Sequence, residues 1–266
     1  MDTITDAEFS RFQHFIFDAA GITLSAGKKA LVCGRLAKRL HANQLGSYTE
    51  YIALLGSGQA ADEVQTAVDL LTTNETYFFR EPKHFEMLRR LALAAASRPQ
   101  TFRVWSAASS SGEECYSIAM VLADCLGNAA WEVVGSDISS RVLQRARTGH
   151  FPLERTQHIP PAYLKRFCLK GQGEQGGTLL IERSLRSRVS FAQVNLNTEL
   201  PQLGSFDIVF LRNVMIYFNG DTKRAVVERV LAPLKAGGHF FIGHSETLNE
   251  ISTAVQQVAP SIYRKP

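Results

Sequence analysis

Four short apolar runs in this chain end in polar residues of types that suit a ligand site. Phe102–Trp105 runs into Ser106-Ala107-Ala108-Ser109-Ser110-Ser111-Gly112-Glu113-Glu114, and Trp131–Gly135 closes on Asp137. Val189–Val194 ends at Asn195, and Phe206–Leu211 at Arg212-Asn213. Small side chains after a strand let a ligand approach the backbone, and the helix that follows offers free N–H groups. An acid closing the second strand stands where a ribose diol would sit. The G-x-G-x-x-G of a dinucleotide site is absent, and two carboxylates at the helix start repel a pyrophosphate. They suit a cofactor with hydroxyls, an amino group and a positive charge, a description that S-adenosylmethionine meets. The plain alternative is a βαβ unit that holds no ligand, since the fold alone does not give function.

The elements that must position these residues follow from the flanking patterns. Phe102–Trp105 is too short for a helix and rich in strand-favouring side chains. From Glu113, apolar residues at Cys115, Ile118, Ala119, Leu122 and Cys125 mark one helical face, stopped by Gly127. In an open α/β sheet, ligands bind outside the carboxyl ends of the strands. All four polar points therefore converge on one crevice, although each alone could be a turn residue.

Upstream, Thr5 and Glu8 form a capping box for a helix carrying Phe9, Phe12, Ile16 and Ala19, and Gly21 ends it. A second helix is expected over Lys28–Asn43, with further helices over Ser47–Leu55 and Ala61–Leu71. Together they give an all-helical N-terminal domain over 1–72. The second helix carries Lys28, Lys29, Arg35, Lys38 and Arg39, and no Asp or Glu occurs from Ala19 to Thr49. Such a stripe is either a solvated face or a surface for an acidic partner. Residues 73–85, polar and aromatic together, read as a pinned linker leading into a helix at Pro82–Ala96. Residues 86–266 form an α/β domain. Within it, strand-like runs at Arg166–Leu169 and Leu179–Glu182 flank a glycine-rich turn, so a hairpin subdomain over about 163–186 is expected. A helix over Asp221–Leu234 should end at Gly237-Gly238, with strands at Phe240–Gly243 and Ser261–Arg264.

Composition excludes several classes. The 266 residues are 45% hydrophobic and 20% charged, ordinary for one large globular domain or one plus a small one. No apolar run approaches the roughly 18 residues of a membrane span. The N-terminus Met1–Asp6 is acidic and lacks a signal-peptide core. Four cysteines without a C-x-x-C pair are expected to be reduced core residues of a cytoplasmic protein. The seven histidines show no metal-ligand spacing, so no metal is expected. A net charge of +4 is too mild to argue for nucleic acid.

At this point the chain resembles the chemotaxis receptor glutamate methyltransferases. The resemblance rests on Leu71–Thr76 with Phe78-Phe79-Arg80, Val104–Ala108, Ser111–Glu114, Ser136-Asp137-Ile138, Val194-Asn195-Leu196, Arg212–Phe218 and Gly243-His244-Ser245-Glu246. Cys115 departs from the family, which commonly has proline after the paired acids. The resemblance implies a Rossmann-like S-adenosylmethionine-dependent methyltransferase domain and a cofactor site built from Asn74, Thr76, Arg80, Glu114, Asp137, Asn195, Leu196, Arg212 and Asn213. It also implies chemotaxis receptors as partners, their helices met by the helical domain and a tail peptide docked on the β-subdomain. Lys28, Arg35, Lys38 and Arg39 are then the expected receptor contacts.

Methyl transfer to a glutamate carboxylate needs no general base, because that group, with a reference pKa of about 4.3, is already an anion at neutral pH. What remains is in-line orientation, for which Arg80 and Tyr217 are the chosen residues. Two other classes stay open on sequence grounds: a nucleic-acid methyltransferase and a non-catalytic cofactor-binding module. Against the first, the chain has Arg212-Asn213-Val214-Met215 where an amino-base methylator usually has Asp or Asn-Pro-Pro-aromatic. Replacing Asp137 by alanine is expected to weaken cofactor binding and leave the melting curve nearly intact.

Overall fold

The structure is a computed structural model that describes residues 3–266. Met1 and Asp2, part of the acidic N-terminus, lie outside the described residues.

The first four helices are α1 (Asp6–Ala20), α2 (Lys29–Ala42), α3 (Tyr48–Leu55) and α4 (Ala61–Leu71). The Thr5 side chain accepts from Glu8 N while Glu8 reaches back to Thr5 N, and Gly21 closes α1 at φ 71°. Phe12, Ile16, Val32, Leu36, Tyr51 and Ala67 meet in a core fully shielded from water. Burying such side chains contributes roughly 1.5–3 kcal/mol each.

The second domain opens with α5 (Pro82–Ala95), β1 (Phe102–Ser106), α6 (Glu113–Leu126), β2 (Trp131–Asp137) and α7 (Ser140–Thr148). After a subdomain come β6 (Val189–Gln193), β7 (Phe206–Leu211), α10 (Gly220–Leu231), β8 (Leu234–Ile242), β9 (Gln256–Ala259) and β10 (Ile262–Arg264). They form one seven-stranded sheet in the order β6-β2-β1-β7-β8-β10-β9. The first five positions are parallel and β10 runs antiparallel to both neighbours. The strand order reverses between β1 and β7, which places a ligand crevice at their carboxyl ends. Trp105, Phe206, Phe210, Phe240 and Phe241 are fully buried in the sheet, as parallel strands covered on both faces require.

The inserted subdomain is larger than the expected hairpin. It holds β3 (His150–Pro152), α8 (Pro161–Phe167), β4 (Cys168–Lys170), β5 (Thr178–Ile181) and the short helix α9 (Arg183–Arg186). Its sheet has three strands in the order β3-β5-β4. Arg166 belongs to α8, which starts at Pro161, and not to a strand. A Pro-containing three-residue strand such as β3 carries too little pattern to be read in advance. The end of α10 also differs. The helix stops at Leu231, before Pro233, which lacks an N–H, and Gly237-Gly238 lie inside β8, with Gly237 at φ 74°.

The two domains are latched together at α7. Asp69 of α4 accepts from Ser140 N, Ser140 Oγ and Arg141 N (2.9, 2.8 and 3.2 Å), so an acid of one domain caps a helix of the other. The side chain of Ser139, which precedes α7, does not cap the helix itself.

Candidate active site

The crevice is lined by the linker, the β1–α6 turn and the ends of β2, β6 and β7. Asn74, Thr76, Arg80, Glu114, Asp137, Asn195, Leu196, Arg212, Asn213 and Tyr217 all face it, together with Tyr77, Phe85, Ala107 and Ala108. Every residue expected to hold cofactor or substrate carboxylate is thus brought to one cleft. Lys28, Arg35, Lys38 and Arg39 are not among its lining residues.

Arg212 occupies the floor. Its side chain is 2% exposed, with Nη1 donating to Glu114 Oε2 at 2.7 Å and Nη2 to the Arg80 carbonyl at 2.6 Å. Nη2 also lies 3.0 Å from Glu81 Oε2. Glu114 Oε1 accepts from Ser106 Oγ at 2.7 Å. Burial works against the Glu81 charge, but Arg212 and the His244 N–H outweigh it and hold that carboxyl below the usual range.

Asp137 is buried, and its oxygens accept from Ser110 N and Ser139 N, both at 2.9 Å. Burial pushes its carboxyl above the ordinary carboxylate value, against the pull of those two bonds. The expectation that Asp137→Ala spares stability therefore does not fit: the substitution strands two N–H groups in a buried turn.

The β1–α6 turn depends on close packing. Gly112 sits at φ 95°, and a Cβ there would come within 2.9 Å of Ala146 Cβ on α7. Phe79, Glu81, Ser110 and Asn213 also have positive φ (54°, 61°, 48° and 58°), so strained backbone concentrates around the cleft. Glu246 explains how Asn213 is held: it accepts from Asn213 N, Gly243 N and Met215 N at 2.7–2.9 Å. The resemblance marked Glu246, but nothing local in sequence showed whose N–H groups it satisfies.

Other cleft residues differ in how free they are. Asn195 donates through Nδ2 to the Ala19 carbonyl and accepts Asn197 N on Oδ1, so its side chain is committed to neighbouring loops. Asn74 accepts Ser110 Oγ on its carbonyl at 2.9 Å, which ties the linker to the turn. Arg155 of the subdomain was missed altogether. It donates to the Thr76 carbonyl at 3.0 Å and pairs at 2.7 Å with the fully buried Glu113. Arg80 is half-buried, with one hydrogen bond to the Glu75 carbonyl at 3.2 Å and its guanidinium 5.6 Å from the Tyr77 ring centre.

The basic helix behaves differently from its reading as one recognition stripe. Arg39 Nε donates to Glu63 Oε1 at 2.9 Å, and Arg35 Nη1 to the carbonyls of Leu71 and Thr72 at 3.2 and 3.0 Å. Lys28 and Lys38 are exposed. The missing acid was supplied by α4, beyond the acid-free stretch.

A reversed-order parallel sheet, small residues after β1, a carboxylate at the start of α6 and an acid closing β2 define a Rossmann-like methyltransferase with room for an adenosyl cofactor at the switch point. The lining fits that group: Asp137 offers carboxylate oxygens that hydroxyls can donate to, Glu114 is an acid, and Ala107 and Ala108 are small enough for close approach. Residues 74–263 match the family model described as CheR methyltransferase, SAM binding domain, and residues 7–72 match CheR methyltransferase, all-alpha domain. The chain belongs to the CheR methyltransferase family, whose catalytic domain binds S-adenosylmethionine. The chemotaxis protein methyltransferase of Escherichia coli (strain K12) is 40% identical over 263 residues, covering 98% of this chain and 91% of the relative. Chemotaxis protein methyltransferase 2 of Pseudomonas aeruginosa is 40% identical over 262 residues, covering 97% and 93%. Among solved structures, the N-methyltransferase NodS from Bradyrhizobium japonicum WM9 is similar at a TM-score of 0.40 and 17% identity, over 70% of this chain and 96% of that one. No helix among the described residues is long and apolar enough to cross a membrane.

Proposed function

We propose that this protein methylates glutamate side chains of chemotaxis receptors, giving glutamate methyl esters and S-adenosylhomocysteine. The observation that carries this reading is one cleft that combines an acidic floor, half-buried Glu114 and buried Asp137, with a rim holding Arg80 and Tyr217. Bound S-adenosylmethionine supplies an electrophilic methyl on a positive sulfonium. Asp137 would accept from its ribose hydroxyls and Glu114, held by Ser106 and Arg212, would supply negative charge near the sulfonium, while Asn195, Leu196 and Asn213 border the cleft. Arg80 and Tyr217, both lining the cleft, would hold and orient the incoming carboxylate. Orientation of this kind is worth roughly 7–11 kcal/mol, so no proton transfer has to be invoked.

Lys28 and Lys38, exposed on the helical domain, are the residues that meet acidic receptor helices in this reading. Arg35 and Arg39 shape that surface from their bonds to the end of α4 and to Glu63. A receptor tail would add to an edge of the β3-β5-β4 sheet, where Leu169 is 51% exposed. A cytoplasmic location belongs with such substrates. A nucleic-acid substrate has no supporting feature here.

The test is transfer of tritiated methyl from labelled cofactor to purified receptor cytoplasmic fragments, with fragments whose target glutamates are replaced by alanine as control. Base-labile label on the first and none on the second is expected. A protein that binds cofactor and transfers nothing would be the non-catalytic module.

A further inference from the structure

Behind the cleft floor both buried ring nitrogens of His84 lack a hydrogen-bond partner, beside Glu81 Oε2, which is ion-paired with Arg212 Nη2 at 3.0 Å. His84 is fully buried on the first turn of α5. Its ring stands edge-on to Phe241 at 5.4 Å and to His244 at 5.1 Å between centres. His84 Nδ1 lies 3.3 Å from Glu81 Oε2, and His244 Nε2 lies 3.8 Å from the same oxygen. One ligand atom from each of the three residues lies within 4.8 Å of the others.

Buried polar atoms nearly always have partners, so a buried imidazole with both nitrogens unpartnered beside a carboxylate asks for a missing one. Two imidazoles and a carboxylate form the donor set preferred by zinc-class ions, whereas magnesium and calcium prefer oxygen ligands alone. Arg212 beside Glu81 does not exclude a cation. Glu81 and Glu114 flank that single guanidinium, so the row carries one net negative charge. A hydrogen-bonding group behind a ligating carboxylate is the usual way to orient it. His244 is half exposed on the loop after β8, which gives an ion a way in and leaves that ring free to close on it.

We propose that Glu81, His84 and His244 form a site for one transition-metal ion of the zinc class, open at a fourth position. The ion would join the end of the linker and α5 to the loop after β8. Because Arg212 bonds both Glu81 and the Arg80 carbonyl, it would also fix the turn that carries Arg80. Histidine spacing along the chain could not show this, since the fold alone brings His84 and His244 together.

The test uses tag-free full-length protein, dialysed against chelator and titrated with Co²⁺. One equivalent is expected to bind, with the visible absorption of four-coordinate cobalt, and Zn²⁺ should displace it and raise the melting temperature. His244→Ala, at a half-exposed position, should keep the fold and lower Co²⁺ affinity roughly 100-fold. Glu81→Gln should weaken binding as well. Absence of stoichiometric binding to folded wild-type protein, or equal binding by His244→Ala, overturns the proposal and leaves the cluster to water.

Discussion

Arg212 at the floor of the cleft and Arg80 at its rim carry the same guanidinium in opposite settings. Arg212 is closed off from water and bonded to Glu114, Glu81 and the Arg80 carbonyl. Arg80 is half-buried and makes one long bond to a neighbouring carbonyl. The difference separates two jobs. A group that must stay fixed while cofactor comes and goes is held by partners that the fold supplies, and breaking them costs stability. A group that must engage a substrate keeps its donors open, and its removal leaves the fold intact. Floor and rim should therefore respond to substitution along different axes.

The largest effect is expected at Arg212. Arg212→Ala leaves the Glu81 and Glu114 carboxylates buried without their shared partner, a change of roughly 3–5 kcal/mol in comparable buried pairs. Urea denaturation should show that loss together with undetectable cofactor binding by calorimetry. Full stability with lost activity would erase the distinction between floor and rim.

Asp137 sharpens the same contrast. Asp137→Ala should weaken cofactor binding and also cost about 1–3 kcal/mol, because the N–H groups of Ser110 and Ser139 lose their acceptor. Asp137→Asn keeps one carbonyl acceptor and should recover part of the stability but little of the affinity. Calorimetry and melting curves on the pair separate the two roles.

How much of this was legible in the sequence depends on range. The floor was visible because each of its polar residues ends an apolar run, and strand ends on one side of a parallel sheet must converge. Asp137 and Arg212 were found that way. The resemblance added Asn74, Thr76 and Arg80, whose linker has no regular pattern of its own. Partners far apart in the chain were not legible: Glu63 for Arg39, Arg155 for Glu113, Glu246 for the Asn213 turn. Nor were β3 and β9, of three and four residues, whose pairing depends on neighbours more than on their own composition. The basic helix misled for the same reason. Its acid-free stretch was real, but α4 brought an acid across to it.

That helix gives a third prediction, of intermediate size. Arg39→Glu sets a second acid against Glu63, which also accepts from Tyr51, and should lower the melting temperature measurably. Lys38→Glu should leave melting unchanged and raise the receptor KM at low salt, an effect that fades as salt is added. If Lys38→Glu leaves receptor kinetics untouched at low salt, this face is only solvated.

The smallest effect is expected at Tyr217, and it tests the rim most directly. Its backbone is fixed: the Tyr217 carbonyl accepts Thr23 N at 2.8 Å and its N–H donates to the Val214 carbonyl at 3.1 Å. The neighbouring Phe218 pairs with Ile22, so the turn is pinned to the helical domain whatever the side chain does. The ring is half-buried in the cleft wall. Tyr217→Phe keeps the ring and that backbone and removes only the hydroxyl, so stability should change by less than about 0.5 kcal/mol. In the transition state the sulfonium and the carboxylate both lose charge, so a strong ionic clamp on the carboxylate would stabilise the ground state more. A neutral hydroxyl that orients without that penalty should act on kcat, and its loss should lower kcat several-fold while cofactor Kd stays the same. A rise in receptor KM at unchanged kcat would make the hydroxyl a binding contact, and orientation would then fall to Arg80 alone.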